Sequence, residues 1–251
     1  MNALLASITQ KKQRLDVLRS SSAGALRQLQ KDYDIELTFT SNAIEGNALT
    51  LRETAEVIEH GITAGGKRLN DHLEAVDHYD AVLWMRKLAS QATPIGEAEI
   101  RDLHRRIVGR SEPGIAGIYS PLRMRGPEPD SMFPDPPDIS ALMTAFGRQV
   151  EQCDATPAAA FEVHFRLTSI HPFSRGNGRT ARLLMNLLLL RNGYVPVAVR
   201  PEDRRVYLDA LEHGSLTDDL GPFQTFMHRR LDDTLTDYVD ALQEPMRQQD
   251  Y

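Results

Sequence analysis

The sequence is poor in cysteine and in long apolar runs. Cys153 is its only cysteine, so neither a disulfide framework nor a cysteine-rich metal site can form within one chain. The longest apolar stretches fall far below the roughly 18 residues that a membrane-spanning helix needs. Near the N-terminus, Lys11, Lys12 and Arg14 interrupt the apolar side chains, which is typical of an amphipathic helix and not of a signal peptide. We therefore expect a cytoplasmic protein with no membrane partner.

Positive charge is also scarce. The 29 Lys and Arg residues are outnumbered by 35 Asp and Glu residues, which gives a formal net charge of −6 at pH 7. Broad binding to nucleic acid depends on basic side chains that neutralise phosphates, and no helix-turn-helix with a basic face is apparent. Nucleic acid is therefore not an expected partner. The composition, with 41% apolar and 25% charged residues, is that of a globular protein with a full core.

Apolar side chains recur at helical spacing over most of the chain, which predicts an all-α fold. One or two helices are expected before Tyr33, with a break at 20–22, and the next is expected over 35–44. Thr50 and Glu53 form a capping-box pattern that opens another helix, which Gly61 closes. Further helices are predicted over 69–88, 97–108, 158–170, 179–190, 204–212 and 223–242.

Prolines are concentrated in one segment. Seven of the 14 prolines fall within 113–137, where they remove the backbone donors that helices and central strands need. We expect a long loop there with at most a short hairpin, and such loops are usually functional. An edge strand in this loop can pair with an extended segment of a target protein, while the alternative is an ordinary surface loop. The candidate hairpin residues are Leu122, Arg123, Met124, Met132 and Phe133.

The segment 171–182, HPFSRGNGRTAR, places a glycine-rich loop between two predicted helices. Gly176 and Gly178 let backbone N–H groups approach an anion without interference from a Cβ atom. The helix that follows adds its free N-terminal donors and the positive end of its dipole. Arg179 and Arg182 lie on one face of that helix and can hold two phosphates of a polyphosphate chain. The segment therefore predicts a phosphate-binding site.

His171 stands at the entry to this loop. A reference pKa near 6.5 suits a base that deprotonates a hydroxyl at neutral pH. Taken singly, the histidine, the Gly-Asn-Gly turn and the arginine pair each have ordinary structural explanations, but their joint occurrence favours a functional site. His164 and His171 have no third acidic or cysteine ligand nearby, so no metal site is predicted.

These residues resemble the signature of the Fic family, H-x-F-x-(D/E)-G-N-G-R-x-x-R. The resemblance implies a Fic-type helical core over 67–243 with a β-hairpin flap, N-terminal helices over 1–66, and a tail over 244–251. It also implies that His171 activates a Ser, Thr or Tyr hydroxyl of a protein, which attacks the α-phosphate of ATP and expels pyrophosphate. The implied nucleotide-binding residues are Phe173, Ser174, Arg175, Gly176, Asn177, Gly178, Arg179, Arg182 and Tyr207, the last being similar to a family tyrosine near the adenine.

Arg175 departs from the signature, because the family usually has Asp or Glu there to hold magnesium. An arginine cannot bind that cation and adds positive charge beside the phosphates. Three outcomes remain open. The arginine replaces the metal as a phosphate clamp, the nucleotide supports different phosphate chemistry, or the protein binds nucleotide without catalysis. Whether magnesium takes part is left open with them.

A second motif lies upstream. Ser41, Glu45 and Gly46, in the run SNAIEG, resemble the family's inhibitory motif (S/T)-x-x-x-E-(G/N). A carboxylate one helical turn after Ser41 can pair with a clamp arginine, which family analogy identifies as Arg182. The sequence thus suggests an adenylyltransferase that Glu45 inhibits. Its expected partners are ATP and a protein target, which includes the chain itself, and a homo-oligomer is a further possibility.

Overall fold

A computed structural model describes residues 1–21, 23–125 and 133–249 of the chain. The described residues are mainly helical, as the apolar spacing predicts, and short 3₁₀ turns at Pro113–Ile115 and Pro201–Asp203 join some of the helices. The α-helices are α1 (Asn2–Ser21), α2 (Ala23–Ile44), α3 (Leu51–His60), α4 (Leu69–Ala89), α5 (Glu97–Ile107), α6 (Pro136–Glu151), α7 (Pro157–Ile170), α8 (Asn177–Arg191), α9 (Arg204–Thr217) and α10 (Gly221–Gln249).

The capping box before α3 is present as predicted. The Thr50 hydroxyl accepts a hydrogen bond from the Glu53 N–H at 3.2 Å, and the Glu53 carboxylate accepts from the Thr50 N–H at 2.8 Å. Gly61 ends the helix with a φ of 66°, a left-handed conformation that glycine adopts without strain. Local sequence alone therefore fixes both ends of α3.

Two helix boundaries differ from the prediction. Helix α2 runs without a break from Ala23 to Ile44, so the helix expected before Tyr33 and the one expected over 35–44 are continuous, because no glycine or proline lies between them. Helix α10 continues past residue 242 to Gln249, so the predicted tail begins inside a helix. Of the break predicted at 20–22, Ser20 and Ser21 belong to α1, and Ser22 lies outside the described residues.

Helix α8 lies at the centre of the fold. It packs against α4, α5 and α7, and all of its leucines except the partly buried Leu190 are buried. Helices α1 and α2 contribute Leu15, Leu18, Leu37 and Ile44 to the same hydrophobic core, so the predicted boundary at residue 66 separates helices that share one core. Among the described helices, none combines the length and the apolar character needed to cross a membrane.

Polar contacts fix the register of α2 on α4. Arg86 donates two hydrogen bonds to the Asp34 carboxylate at 2.6 and 2.8 Å. One turn further along, the Thr38 hydroxyl lies 3.3 Å from Nδ1 of buried His78. Burial raises the pKa of Asp34 to about 6, with Arg86 acting in the opposite direction. Because polar groups bond only in specific geometries, these pairs set where the C-terminal end of α2 meets α8.

The predicted flap is described in part. The Phe133 N–H donates to the Met124 carbonyl at 3.2 Å, and Nε of Arg123 donates to the Phe133 carbonyl at 3.1 Å. Leu122 is exposed to solvent, while Met132 lies outside the described residues. These contacts join the two arms of the loop at the positions that the sequence predicts.

Loss of the capping box is expected to destabilise the protein without altering its site. Thr50→Ala should lower the free energy of unfolding by about 1 kcal/mol, because the Glu53 N–H loses its acceptor. Urea denaturation followed by circular dichroism measures this. Thr9→Ala is the control, since Thr9 lies on an exposed face of α1; its effect should stay within about 0.5 kcal/mol. Equal losses in both variants would contradict the capping role.

Candidate active site

The loop that follows α7 begins with an unusual backbone conformation. His171 caps α7 with φ 51° and ψ 54°, and its N–H donates to the Leu167 carbonyl at 3.0 Å. A non-glycine residue in this left-handed region costs roughly 1–2 kcal/mol, and such residues cluster at functional sites. The turn ends α7 abruptly and carries the imidazole to the entry of the glycine-rich loop.

Asn177 closes the loop through its side-chain amide. Its Oδ1 accepts from the Phe173 N–H at 2.9 Å, and its Nδ2 donates to the Phe173 carbonyl at 2.6 Å. Asn177 and Phe173 are both buried. The sequence places Asn177 in the anion cradle, and in the structure its amide is engaged by the loop backbone. Asn177 therefore fixes the shape of the loop.

Glu45 lies against the first turn of α8. A Cβ atom added to Gly178 would lie 2.5 Å from Glu45 Oε1 and 3.0 Å from Arg182 Nη1. Unpaired backbone N–H groups and the positive end of the helix dipole favour an anion at this point. The Glu45 carboxylate thus occupies the place that the sequence predicts for phosphate.

Arg182 binds the end of α2 through three hydrogen bonds. Its Nε donates to the Ser41 hydroxyl at 2.9 Å, and its Nη2 donates to the Ser41 carbonyl at 2.9 Å and to Glu45 Oε1 at 2.8 Å. The Arg182 side chain is 5% exposed, while that of Glu45 is 38% exposed. Gly46, with a φ of 92°, turns the chain away directly after this contact. The predicted Glu45–Arg182 pair is therefore present.

The charges at this site have defined ionisation states. Burial opposes ionisation of Glu45, but attraction to Arg182 and its hydrogen bond hold the pKa of Glu45 below its ordinary value. Burial also lowers the pKa of His171 below 6.5, while a hydrogen bond with the Thr168 backbone and the Glu45 charge act in the opposite direction. At neutral pH, Glu45 is therefore charged, whereas His171 is neutral and able to accept a proton.

The other arginine of the motif, Arg179, has partners that the sequence did not predict. Buried Arg179 donates from Nη1 to Asn42 Oδ1 at 3.2 Å and lies 3.5 Å from Glu74 Oε1. Glu74 also accepts from the side-chain amide of Asn47 at 2.9 Å. Asn42 follows Ser41 directly in the SNAIEG run, which was the only local signal for its role. Arg179 is thus held by acceptors on α2 and α4, and Arg182 by acceptors at the end of α2.

Tyr207 lies behind Arg182. Its side chain is 1% exposed, and its hydroxyl is 2.9 Å from Nε2 of buried His164. Nη1 of Arg182 donates to the same hydroxyl at 3.5 Å. Tyr207 thus supports the arginine from inside the core, and its predicted contact with adenine stays a prediction.

Arg175 points to a carboxylate of the neighbouring loop. Its Nη1 lies 2.7 Å from Glu112 Oε1, and its side chain is 65% exposed. The adjacent Ser174 is half-buried. Across the described ranges, no three His, Cys, Asp or Glu side chains cluster to hold a metal ion. With an arginine at the position of the expected acid, these residues do not fit a magnesium ion held by the protein.

The flap covers one face of His171. The Phe133 ring stacks on the imidazole with a centroid distance of 4.0 Å and an interplanar angle of 15°. At the base of the flap, the Ser120 N–H donates to the Pro172 carbonyl at 2.8 Å. Flap and loop therefore contact each other both at the base and at His171.

This chain is similar to proteins of known family. The Fic/DOC family model matches residues 94–189. Protein adenylyltransferase Fic of Nematostella vectensis is 32% identical over 244 residues, which cover 94% of this chain and 56% of that protein. A relative of the same name in Drosophila melanogaster is also 32% identical, with 48% of its length covered. The chain thus spans about half the length of these relatives.

Solved structures of Fic proteins are also similar to this chain. A Fic domain containing signaling protein from Bacteroides thetaiotaomicron superimposes with a TM-score of 0.87 at 26% identity, over 94% of this chain and 97% of that one. A fragment of Fic-1 from C. elegans superimposes with a TM-score of 0.78 at 26% identity, over 96% of this chain and 74% of that one. The first of these likenesses spans nearly the whole of both chains.

The pair between Glu45 and Arg182 is expected to stabilise the protein in the absence of nucleotide. Glu45→Gln keeps the size of the side chain but leaves the buried guanidinium with one anionic partner fewer. The free energy of unfolding at pH 7 should fall by roughly 1 kcal/mol, a modest value because Glu45 is partly exposed to water. Chemical denaturation in urea measures this loss.

Glu162→Gln supplies the matched control. Glu162 is 39% exposed, close to Glu45, but its partner Arg166 is 48% exposed. This surface pair should contribute less than about 0.5 kcal/mol. A loss at Glu162 as large as that at Glu45 would show that burial of the arginine does not matter.

Proposed function

Because the chain belongs to the Fic/DOC family, we propose that it is a protein adenylyltransferase restrained by Glu45. It transfers AMP from ATP to a Ser, Thr or Tyr hydroxyl of a protein. The observation that carries this proposal is the Glu45 carboxylate on the first turn of α8, 2.8 Å from Arg182 and beside the neutral base His171. An anion of the protein stands where the phosphates of ATP would bind.

The reaction follows from the residues around the loop. A ring nitrogen of His171 accepts the hydroxyl proton, and the hydroxyl oxygen forms a bond with the α-phosphorus. The bond between that phosphorus and the bridging oxygen to the β-phosphate breaks, and pyrophosphate leaves. Arg179 and Arg182 bind the β- and γ-phosphates, and the N-terminus of α8 stabilises the developing charge.

Restraint by Glu45 is a competition between two anions. The γ-phosphate and the Glu45 carboxylate both require the Nη2 group of Arg182. While Glu45 keeps it, ATP binds with its phosphates displaced, and the α-phosphate is misaligned for attack. Since a displacement of about 1 Å can cost 100-fold in rate, this contact is sufficient to restrain transfer.

The target is a protein that offers an extended segment to the flap. Backbone pairing along the flap presents a hydroxyl to His171 without reading much sequence. A second copy of the chain satisfies this requirement, so self-modification and a homo-oligomer are part of the proposal. The cytoplasm, where ATP is abundant, is the proposed location.

Arg175 supports a second candidate function. Its pair with Glu112, at a position where an acid is expected, favours a module that binds nucleotide without transferring AMP, or one with other phosphate chemistry. Under our proposal, Arg175 exchanges Glu112 for a phosphate oxygen and acts as a further clamp. The two candidates differ in whether removal of Glu45 alone produces transfer.

Release of the restraint is expected to produce self-modification. Glu45→Gly, incubated with ATP with and without magnesium, should gain the mass of one adenylyl group at least about tenfold faster than wild type, a change of about 1.4 kcal/mol. Glu45→Gly combined with His171→Ala should gain none. Mass spectrometry of the intact protein measures both.

Arg175→Asp, added to the Glu45→Gly variant, separates the candidates. Transfer by Glu45→Gly alone supports the adenylyltransferase. Transfer that appears only after Arg175→Asp would instead make the natural protein a nucleotide-binding module that has lost its catalytic step.

The pH dependence of transfer is expected to reflect His171. Its pKa lies below 6.5, and removing the Glu45 charge lowers it further, so the base stays neutral as the pH falls to 6.5. The kcat/KM for ATP of Glu45→Gly, which reports the free enzyme, should be flat from pH 8 to pH 7 and reach half its value only below pH 6.5. Circular dichroism at each pH verifies that the fold is intact. A half-maximum above pH 6.5 would contradict the assignment of His171 as the base.

A further inference from the structure

His104 occupies a position between the phosphate-binding loop and the flap. It lies on α5 among the apolar residues of the core, and its side chain has no exposure to solvent. Its Nε2 is 2.9 Å from the Arg175 carbonyl oxygen, and the Gly117 N–H donates to its Nδ1 at 2.9 Å. Three segments that are distant in sequence therefore meet on one imidazole.

The two hydrogen bonds determine the tautomer. A backbone N–H can only donate, so Nδ1 accepts and carries no proton. The ring proton is then on Nε2 and is donated to the Arg175 carbonyl. Burial lowers the pKa of His104 to about 4, which keeps this neutral form at physiological pH. The ring also stacks on Phe173 at 3.7 Å with an interplanar angle of 1°.

The hydrogen bond to Arg175 sets the direction of the next N–H group. In a trans peptide, the carbonyl and the following N–H point in opposite directions, and no peptide bond in the described residues is cis. With the Arg175 carbonyl turned toward His104, the Gly176 N–H points away from it. Within the described part of the chain, no hydrogen bond engages that N–H.

The packing behind Gly176 supports this direction. A Cβ atom on Gly176 would lie 3.2 Å from Cγ1 of Val108 and 3.4 Å from Nε2 of His104. Helix α5 thus closes one side of the loop, and the φ of 77° at Gly176 requires a glycine. The free N–H is left on the side opposite α5.

We infer that His104 is a positioning residue that aims the Gly176 N–H at the phosphate of the bound nucleotide. The inference rests on the proposed function, because it assigns a donor to the same transfer. The Gly176 N–H stabilises charge on the reacting phosphate, as fixed backbone donors do in other transfer reactions. His104 contacts neither the nucleotide nor the hydroxyl.

The same imidazole links the loop with the flap. Gly117, which donates to Nδ1, lies two residues before Tyr119, whose backbone pairs with that of Phe173. His104 therefore has two separable contacts, one that orients the loop and one that anchors the segment leading to the flap. Two amide substitutions distinguish between them.

The test compares three variants in the Glu45→Gly background. His104→Gln places an amide nitrogen near the position of Nε2 and keeps the donor to Arg175. His104→Asn places an amide oxygen near the position of Nδ1 and keeps the acceptor for Gly117. His104→Phe keeps the ring stack and loses both hydrogen bonds. His228→Gln is the control, because His228 is also buried and bonds a backbone carbonyl, that of Gln224.

We expect kcat for AMP transfer to separate the variants. His104→Gln should stay within about threefold of its parent, whereas His104→Asn and His104→Phe should lose about 100-fold, the usual effect of one misaligned backbone donor. The KM for ATP should change less than kcat, and His228→Gln should match the parent. Activity retained by His104→Asn but lost in His104→Gln would overturn the inference, as would equal losses in all three.

Nucleotide binding gives a second readout that does not require transfer. Calorimetry with a non-hydrolysable ATP analogue should show tighter binding by His104→Gln than by His104→Asn or His104→Phe. If the Glu45→Gly parent fails to transfer AMP but this order of affinities holds, the proposed function is wrong and the role of His104 in the loop stands. If the three affinities are equal and kcat does not separate the variants either, the inference is wrong.

Discussion

The structure depends on one buried cation, Arg182, which requires anionic and polar partners. A guanidinium taken out of water is costly unless it is paired and hydrogen-bonded on every side. Arg182 receives these partners from Ser41 on α2, from Glu45 directly after α2 and from Tyr207 on α9. The requirement therefore joins α2, α8 and α9 around one side chain, and the cation that would bind phosphate also organises the fold.

Side chains of the protein fix the shape of the loop. Asn177 bonds both polar groups of the Phe173 backbone, and His104 holds the Arg175 carbonyl while it stacks on the Phe173 ring. Backbone donors that are already aligned stabilise developing charge without a cost of reorganisation. The strained backbone of His171 fits the same pattern, because the surrounding contacts hold it in place.

Features encoded over a few residues were predictable from the sequence. The capping box at Thr50, the glycine-rich loop and the spacing of Ser41 and Glu45 each lie within one or two helical turns, so the sequence displays them directly. The all-α fold followed from apolar periodicity in the same way. The boundary predicted near Tyr33 was wrong, because no glycine or proline interrupts the chain there and α2 runs through it.

Contacts between distant segments were not predictable. Asn42 and Arg179 are 137 residues apart, and Glu112 and Arg175 are 63 apart, so no local pattern relates them. His104 falls on an apolar stripe, where a histidine reads as an ordinary core residue, and its two hydrogen bonds appear only when three segments converge. Pairing of this kind depends on the packing of whole helices and is not visible in a single sequence.

The shared core of α2 has a consequence for how the proposed restraint by Glu45 is released. Leu37 and Ile44 are buried in the same cluster as the leucines of α8, so lifting the helix away would expose apolar surface and unfold part of the core. Rotation of the Glu45 side chain disturbs none of that packing. Side-chain rotation takes nanoseconds, whereas collective helix movement takes microseconds or longer. Under the proposed restraint, release therefore requires only a new rotamer of Glu45 and leaves the packing of α2 on α8 intact.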